Sequence, residues 1–419
     1  MTGLKDQCFG VEVEFTGITR EQAATALAGY FGTISFHRGG AYDAWVVRDT
    51  ENKEWELVSD SSIQGERKTP GGYEQTGDRH YWVEMVSPKL TYAELPKFQE
   101  CVRQMRHAGG KVNSSCGIHV HVDAANHNRQ SLKNLLSIMF SKEDILFKAL
   151  KVNPSRVSTY CKKVREPMLQ KARQLSAEET KDLTQLESIW YEGRVKSSEH
   201  YNWTRYYALN LHSVFYRGTV EFRCFNSTLH AGRAAAYINL CLAMSAQAIA
   251  QRSTVMRKTH SDNELFTFRV WLVRLGLNGP EFKNTRDHLL ANLEGDRAWR
   301  YDKDSYEANK KKKNRKKRGI LTGKLFGKNE YTRQVRWDYK YGIGERNRVQ
   351  KEARRKYTAQ TETVRRRGAQ AEAIGRYRIQ TETAGRYGTQ AETAGRYGTQ
   401  TETARWYGIQ EETVGRYRI

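Results

Sequence analysis

The chain has 419 residues, 38% hydrophobic and 11% aromatic, long enough for a large core domain with something appended. No stretch approaches the roughly 18 uncharged apolar residues of a membrane helix, and Met1–Asp6 lacks the apolar run of a secretory signal. The net charge of +23 suggests a nucleic-acid binder until it is located: residues 301–419 hold 30 Lys and Arg against 14 Asp and Glu, about +16, which leaves about +7 for residues 1–300.

In chain order, Cys8–Phe15 alternates with period two and predicts a strand, followed by a helix from Arg20 to Tyr30. Trp45–Arg48 and Trp55–Ser59 flank Thr50-Glu51-Asn52-Lys53 and read as a hairpin. Residues 80–87 predict a further strand. The helix from Tyr92 to His107 stops at Gly109-Gly110, a C-terminal signal. Gly117–Asp123 is a strand and Leu132–Leu150 an amphipathic helix. Residues 153–200 are charged and helical in character. Tyr206–Leu211 and Thr219–Phe225 predict strands, and Gly232–Ala250 a long apolar helix. The six cysteines are scattered, without the close pairs of a zinc module, so a reduced, cytoplasmic protein is expected.

After Trp299 the composition changes. Lys310–Arg318 is a basic run, and from Gln350 a glutamine recurs every ten residues to Gln410, with glutamate two places later each time. Such units hold too little apolar surface to stack into a solenoid core, so disorder is expected there.

Four short segments concentrate the chemistry. In Gly10–Phe15, alternation puts Glu12 and Glu14 on one face and Val11, Val13 and Phe15 on the other. Two adjacent carboxylates repel each other unless a cation lies between them, and magnesium prefers hard oxygen ligands; a solvated sheet face is the other reading. His119 and His121 share a face of Gly117–Val122, as hydrogen-bonded histidines or as the start of a zinc site. In Arg217–Arg223, Arg217, Glu221 and Arg223 share a face, as a surface ion pair or as an anion clamp beside a metal carboxylate. Glu84 ends a strand, and Asp60 stands where another strand turns. Together these are the parts a two-metal phosphoryl site needs.

The order and wording of these segments resemble the amidoligase family, relatives of glutamine synthetase and glutamate–cysteine ligase. The likeness runs through Phe9–Phe15, Trp55–Ile63, Glu84–Pro88, Gly117–Val122, Arg205–Ser213, Gly218–Leu229 and Phe268–Trp299. It implies an α+β, glutamine synthetase-like catalytic domain over residues 1–302, with a curved, mostly antiparallel sheet and flanking helices. A basic linker over 303–349 and ten-residue repeats over 350–419 follow. By the same resemblance Glu12, Glu14, Glu84, His119 and Glu221 are metal ligands. Arg205 and Arg223 contact nucleotide, phosphate or substrate, and Asn210 orients nearby groups. Arg217 stands two residues further from the glutamate than the family's first arginine. The family's Asp-Gly-Ser-Ile turn is here Asp60-Ser61-Ser62-Ile63.

The implied activity is an ATP- and Mg2+-dependent (or Mn2+-dependent) ligation of an amino-acid or peptide carboxylate to an amine through an acyl phosphate. A zinc hydrolase built on His119 and His121 is the rival enzyme. A nucleic-acid-binding protein acting through 310–318 is the non-enzyme alternative. The Glu-bearing repeats add the chain's own tail as a candidate substrate, against a tandem repeat without function.

Overall fold

The computed structural model describes residues 2–176, 180–194 and 199–300, together with 306, 307 and 311. The expected basic linker (save those last positions) and the ten-residue repeats lie outside the described residues.

Eleven strands form among them. They are β1 (Cys8–Phe15), β2 (Ser35–Gly39), β3 (Ala44–Arg48), β4 (Glu54–Val58), β5 (Glu66–Thr69), β6 (Gly72–Gln75), β7 (Val83–Val86), β8 (Leu90–Thr91), β9 (Gly117–Asp123), β10 (Leu209–Asn210) and β11 (Thr219–Asn226). Nine of them make one sheet in the order β10-β11-β9-β1-β7-β4-β3-β2, with β8 also on β1 and every pairing antiparallel. The β5–β6 hairpin stands apart.

The helices are α1 (Arg20–Phe31), α2 (Leu95–His107), α3 (Arg129–Leu150), α4 (Pro154–Thr159), α5 (Glu166–Gln174), α6 (Thr184–Trp190), α7 (His212–Arg217), α8 (Ala231–Ala250), α9 (Glu264–Arg274) and α10 (Lys283–Leu290). Local chemistry sets several of their ends. Thr19 caps α1 through Gln22 in a reciprocal capping box, and Gly32 closes it at φ 67°. Pro96 sits in the first turn of α2, where its missing N–H costs nothing.

One face of the sheet is apolar. Val11, Val13, Phe15, Ile118, Val120, Val122, Val83 and Met85 are all at most 1% exposed and join a core with Leu27, Phe98, Val102 and Leu240 from α1, α2 and α8. At about 25 cal/mol per Å2 of apolar area, such a layer supplies the main driving force for folding. It also fixes the register, because a slip of one residue would turn the whole apolar set outward. The opposite face of β1, β7, β9 and β11 therefore displays Glu12, Glu14, Glu84, His119, His121 and Glu221.

Two expectations need correction. The strand from Tyr206 to Leu211 is only β10, preceded by a 3-10 turn at Trp203–Tyr206. Arg217 does not share a strand with Glu221 and Arg223; it ends α7, which Gly218 terminates at φ 74°. Local turn chemistry wins there, because Gly218 adopts the left-handed conformation of a helix C-cap.

Candidate active site

The register builds the site. Glu12 pairs with His119 across β1 and β9, Glu14 with Glu84 across β1 and β7, and His121 with Glu221 across β9 and β11. Asn210 pairs with Glu221 across β10 and β11. In an antiparallel pair directly opposed side chains lie about 5 Å apart at Cβ, so four neighbouring strands supply one continuous cluster. A bulge in β11 between Phe222 and Phe225 adds a residue opposite β9. Bulges re-aim side chains, and Arg223 here reaches both Glu221 and His119.

The cluster is tightly bonded. His119 Nδ1 donates to Glu12 Oε2 at 2.9 Å, and His119 Nε2 lies 3.6 Å from Glu14 Oε1. His121 Nδ1 shares a hydrogen bond with the Thr219 hydroxyl at 2.9 Å, while its Nε2 lies 3.4 Å from Glu12 Oε1 and has no hydrogen-bond partner. Asn210 Nδ2 donates to Glu221 Oε2 at 2.7 Å, while its Oδ1 accepts from the His212 backbone. Glu14 Oε2 accepts from the Gly117 backbone N–H at 2.6 Å. Arg217 Nη1 reaches Glu12 Oε1 at 3.3 Å, so Arg217 meets the cluster from α7.

Electrostatics divide the site in two. Burial opposes ionisation of Glu12, but the adjoining His121 and His119 hold its carboxyl well below the usual range. Burial likewise opposes ionisation of Glu221, yet the Arg223 guanidinium draws it down to about 2. On the other side, burial and the nearby Asp60 push Glu14 up to about 8. Burial and repulsion from Glu12, Asp60 and Glu14 raise Glu84 well above the carboxylate range. Burial, with Arg223 alongside, lowers His119 to about 4, so its imidazole is neutral and able to ligate.

These residues fit divalent cations. Three overlapping groups bring one atom from each member within 4.8 Å of the others: Glu12, Glu84 and His119; Glu12, His121 and Glu221; Glu14, Asp60 and Glu84. Two buried carboxyls that resist ionisation beside a third acid would ionise more readily with a cation between them, and the unpartnered imidazole nitrogen of His121 lies within reach of the same carboxylates. Each group is richer in carboxylate oxygen than in nitrogen, which suits Mg2+ or Mn2+ better than zinc.

Asp60 needs no glycine after it: its Oδ1 accepts the Ser62 N–H at 2.7 Å, and Ser61 is not among the residues with positive φ. The side chain makes the turn that the backbone would otherwise have to strain for. Beside Glu12 and Glu221 a cleft is lined by Arg205, Arg217, His200, Tyr216 and Ser213. Arg205 lies over the rings of Tyr201 and Tyr206, at 5.6 and 5.8 Å from their centroids.

The structure thus draws Glu12, Glu14, Glu84, His119, Glu221, Arg223 and Asn210 into one cluster, with Arg205 beside it. It adds His121 to the carboxylates, a residue that sequence reasoning left as a hydrogen-bonded histidine or the start of a zinc site. Thr219, His200 and Tyr206 carry no sequence signal, because each acts through a neighbour that only the fold supplies.

The family model described as "Putative amidoligase enzyme" matches residues 5–245, a span holding every residue of the cluster. A solved structure of a bifunctional glutathione synthetase from Pasteurella multocida is similar at 11% identity and a TM-score of 0.25. That match covers 69% of this chain and 47% of the other, so this chain spans about half of that enzyme's length. No curated protein matches the chain.

Proposed function

From the premise that this chain belongs to the amidoligase family, and is a ligase, we propose that it joins a carboxylate to an amine at the expense of ATP. The observation that carries this reading is the unbroken row of buried carboxylates and imidazoles with guanidinium groups along its edge. A bare carboxylate has no adequate leaving group, so an amide-forming enzyme must first activate it. Attack of a carboxylate oxygen on the γ-phosphoryl breaks the bond to the β-phosphate oxygen and gives an acyl phosphate and ADP. Attack by an amine then expels phosphate.

Glu12, Glu14, Glu84, His119 and Glu221, with His121 and Asp60, would hold Mg2+ or Mn2+, which neutralises phosphate charge when bound. The chain's own groups do the rest. Glu221 positions Arg223, whose guanidinium stabilises charge on the transferring group. Asn210 keeps Glu221 oriented, as partners of metal ligands commonly do. Arg205 and Arg217 give the cleft the positive charge that anionic substrates require.

The test is ADP release by the purified protein with Mg2+ and a panel of amino acids and Glu-containing peptides, one tail unit among them. Carboxylate-dependent release supports the ligase and names the substrate class. No release, together with stoichiometric bound zinc, would move the assignment to the His119–His121 hydrolase. The tail as substrate rests on its recurring glutamates, Glu352 to Glu412. An unchanged intact mass after incubation with ATP and amines would sink that part alone.

A further inference from the structure

Gly117 stands on the face of β9 that carries His119 and His121, two residues before the first of them, and has no side chain to offer. A foreign group fills its place. A Cβ built on Gly117 would overlap the Arg156 guanidinium, which reaches in from α4. Arg156 is 2% exposed, yet its Nε and Nη2 have no hydrogen-bond partner; only Nη1 donates, to the Ser115 carbonyl at 3.2 Å. Among the described residues no carboxylate lies within ion-pair distance of it. Leaving guanidinium N–H groups buried and unpaired is costly, and an anion within their reach would satisfy them.

The surroundings hold that guanidinium in place. The Asn153 N–H at the start of α4 donates to Asn226 of β11 at 3.0 Å. Beyond α4, Lys162 donates its backbone N–H to Tyr206 at 2.9 Å and accepts one from Ala208 at 2.8 Å. Arg156 lies over the Tyr160 ring at 6.0 Å, Tyr160 packs edge-on against Tyr206, and Tyr206 underlies both Arg205 and Arg223. Two tyrosines thus carry three arginines along one wall of the cluster.

We propose that Arg156 is a third anion-binding arginine of this site, whose unpartnered N–H groups take an oxygen of the bound polyphosphate. The inference rests on the ligase reading above. A planar fork of donors beside a carboxylate-rich metal row matches phosphate oxygens, which the metals and the arginines then share. The composition of residues 153–200 hides it, since nothing local distinguishes Arg156 from its charged neighbours.

The test compares the wild-type protein with Arg156→Met and Arg156→Lys, by calorimetric binding of a non-hydrolysable ATP analogue with Mg2+ and by thermal melting without ligand. Arg156→Met is expected to bind the analogue at least about tenfold more weakly, as loss of a charge-assisted hydrogen bond implies, while its ligand-free melting temperature holds or rises. Arg156→Lys, which keeps the charge but loses the fork, is expected to fall between, and it serves alone if the methionine variant does not fold. Undiminished binding by the variants overturns the role of Arg156 and leaves the ligase reading intact. A wild-type protein that binds no analogue overturns both.

Discussion

Glu14 shows how a single residue can couple this site to solution conditions. Its carboxyl, 2% exposed, is pushed up to about 8, against about 4.5 for an ordinary glutamate. Between those values the folded, metal-free chain keeps a proton that the unfolded chain has lost. Stability from this group therefore falls as pH rises from about 4.5 to about 8. Melting of metal-stripped protein across that range is expected to show the decline, and Glu14→Gln to lessen it, Glu84 contributing the remainder. Added Mg2+ should stabilise the wild type more at pH 8 than at pH 6, because binding must displace the proton; a Mg2+ effect independent of pH would remove Glu14 from the ligand set. Glu12 and Glu84 are each shared by two of the three ligand groups, and Glu12 alone of the two also meets Arg217. Glu12→Gln is expected to lower carboxylate-dependent ADP release by about a hundredfold or more, in line with loss of an interaction made at the reacting charge. Full activity in that variant would refute the metal assignment.

At the scale of elements, two devices aim the side chains. The bulge in β11 turns Arg223 onto His119 and Glu221, and the left-handed Gly218 ends α7 so that Arg217 meets Glu12. Nothing lies within 4 Å of a Cβ built on Gly218, so Gly218→Ala meets backbone strain alone. The left-handed conformation costs an L-residue about 1–2 kcal/mol, and the melting temperature should fall by a few degrees. If relief of the strain shifts Arg217 away from Glu12, ADP release falls further than stability does. Equal melting temperatures for wild type and variant would mean that Gly218 is not held at positive φ in solution.

At the scale of the whole molecule, no helix among the described residues is long and apolar enough to cross a membrane. The six cysteines are free thiols, five of them buried. The family match ends at residue 245, while α9 and α10 add Leu265, Phe268, Leu272 and Leu289 to the same core. A chain ending at residue 302 is therefore expected to melt with the full-length protein and to release ADP at the same rate. A loss of activity with unchanged melting would assign the residues after 302 a part in the reaction.

Much of this was open to reading along the chain. Period-two alternation put Glu12 with Glu14 and His119 with His121 against an apolar face, because a strand sends successive side chains to opposite sides and the core claims one of them. The order of the segments pointed to the family. What sequence could not place was anything set by pairing between distant strands or by a side chain arriving from outside the sheet. The pairing of Glu14 with Glu84, the addition of His121 to the carboxylates, the arrival of Arg217 from a helix and of Arg156 over Gly117 depend on register and packing across up to about 200 residues. Local pattern decides which face a residue takes; only burial of the whole apolar layer decides which residue it will meet there.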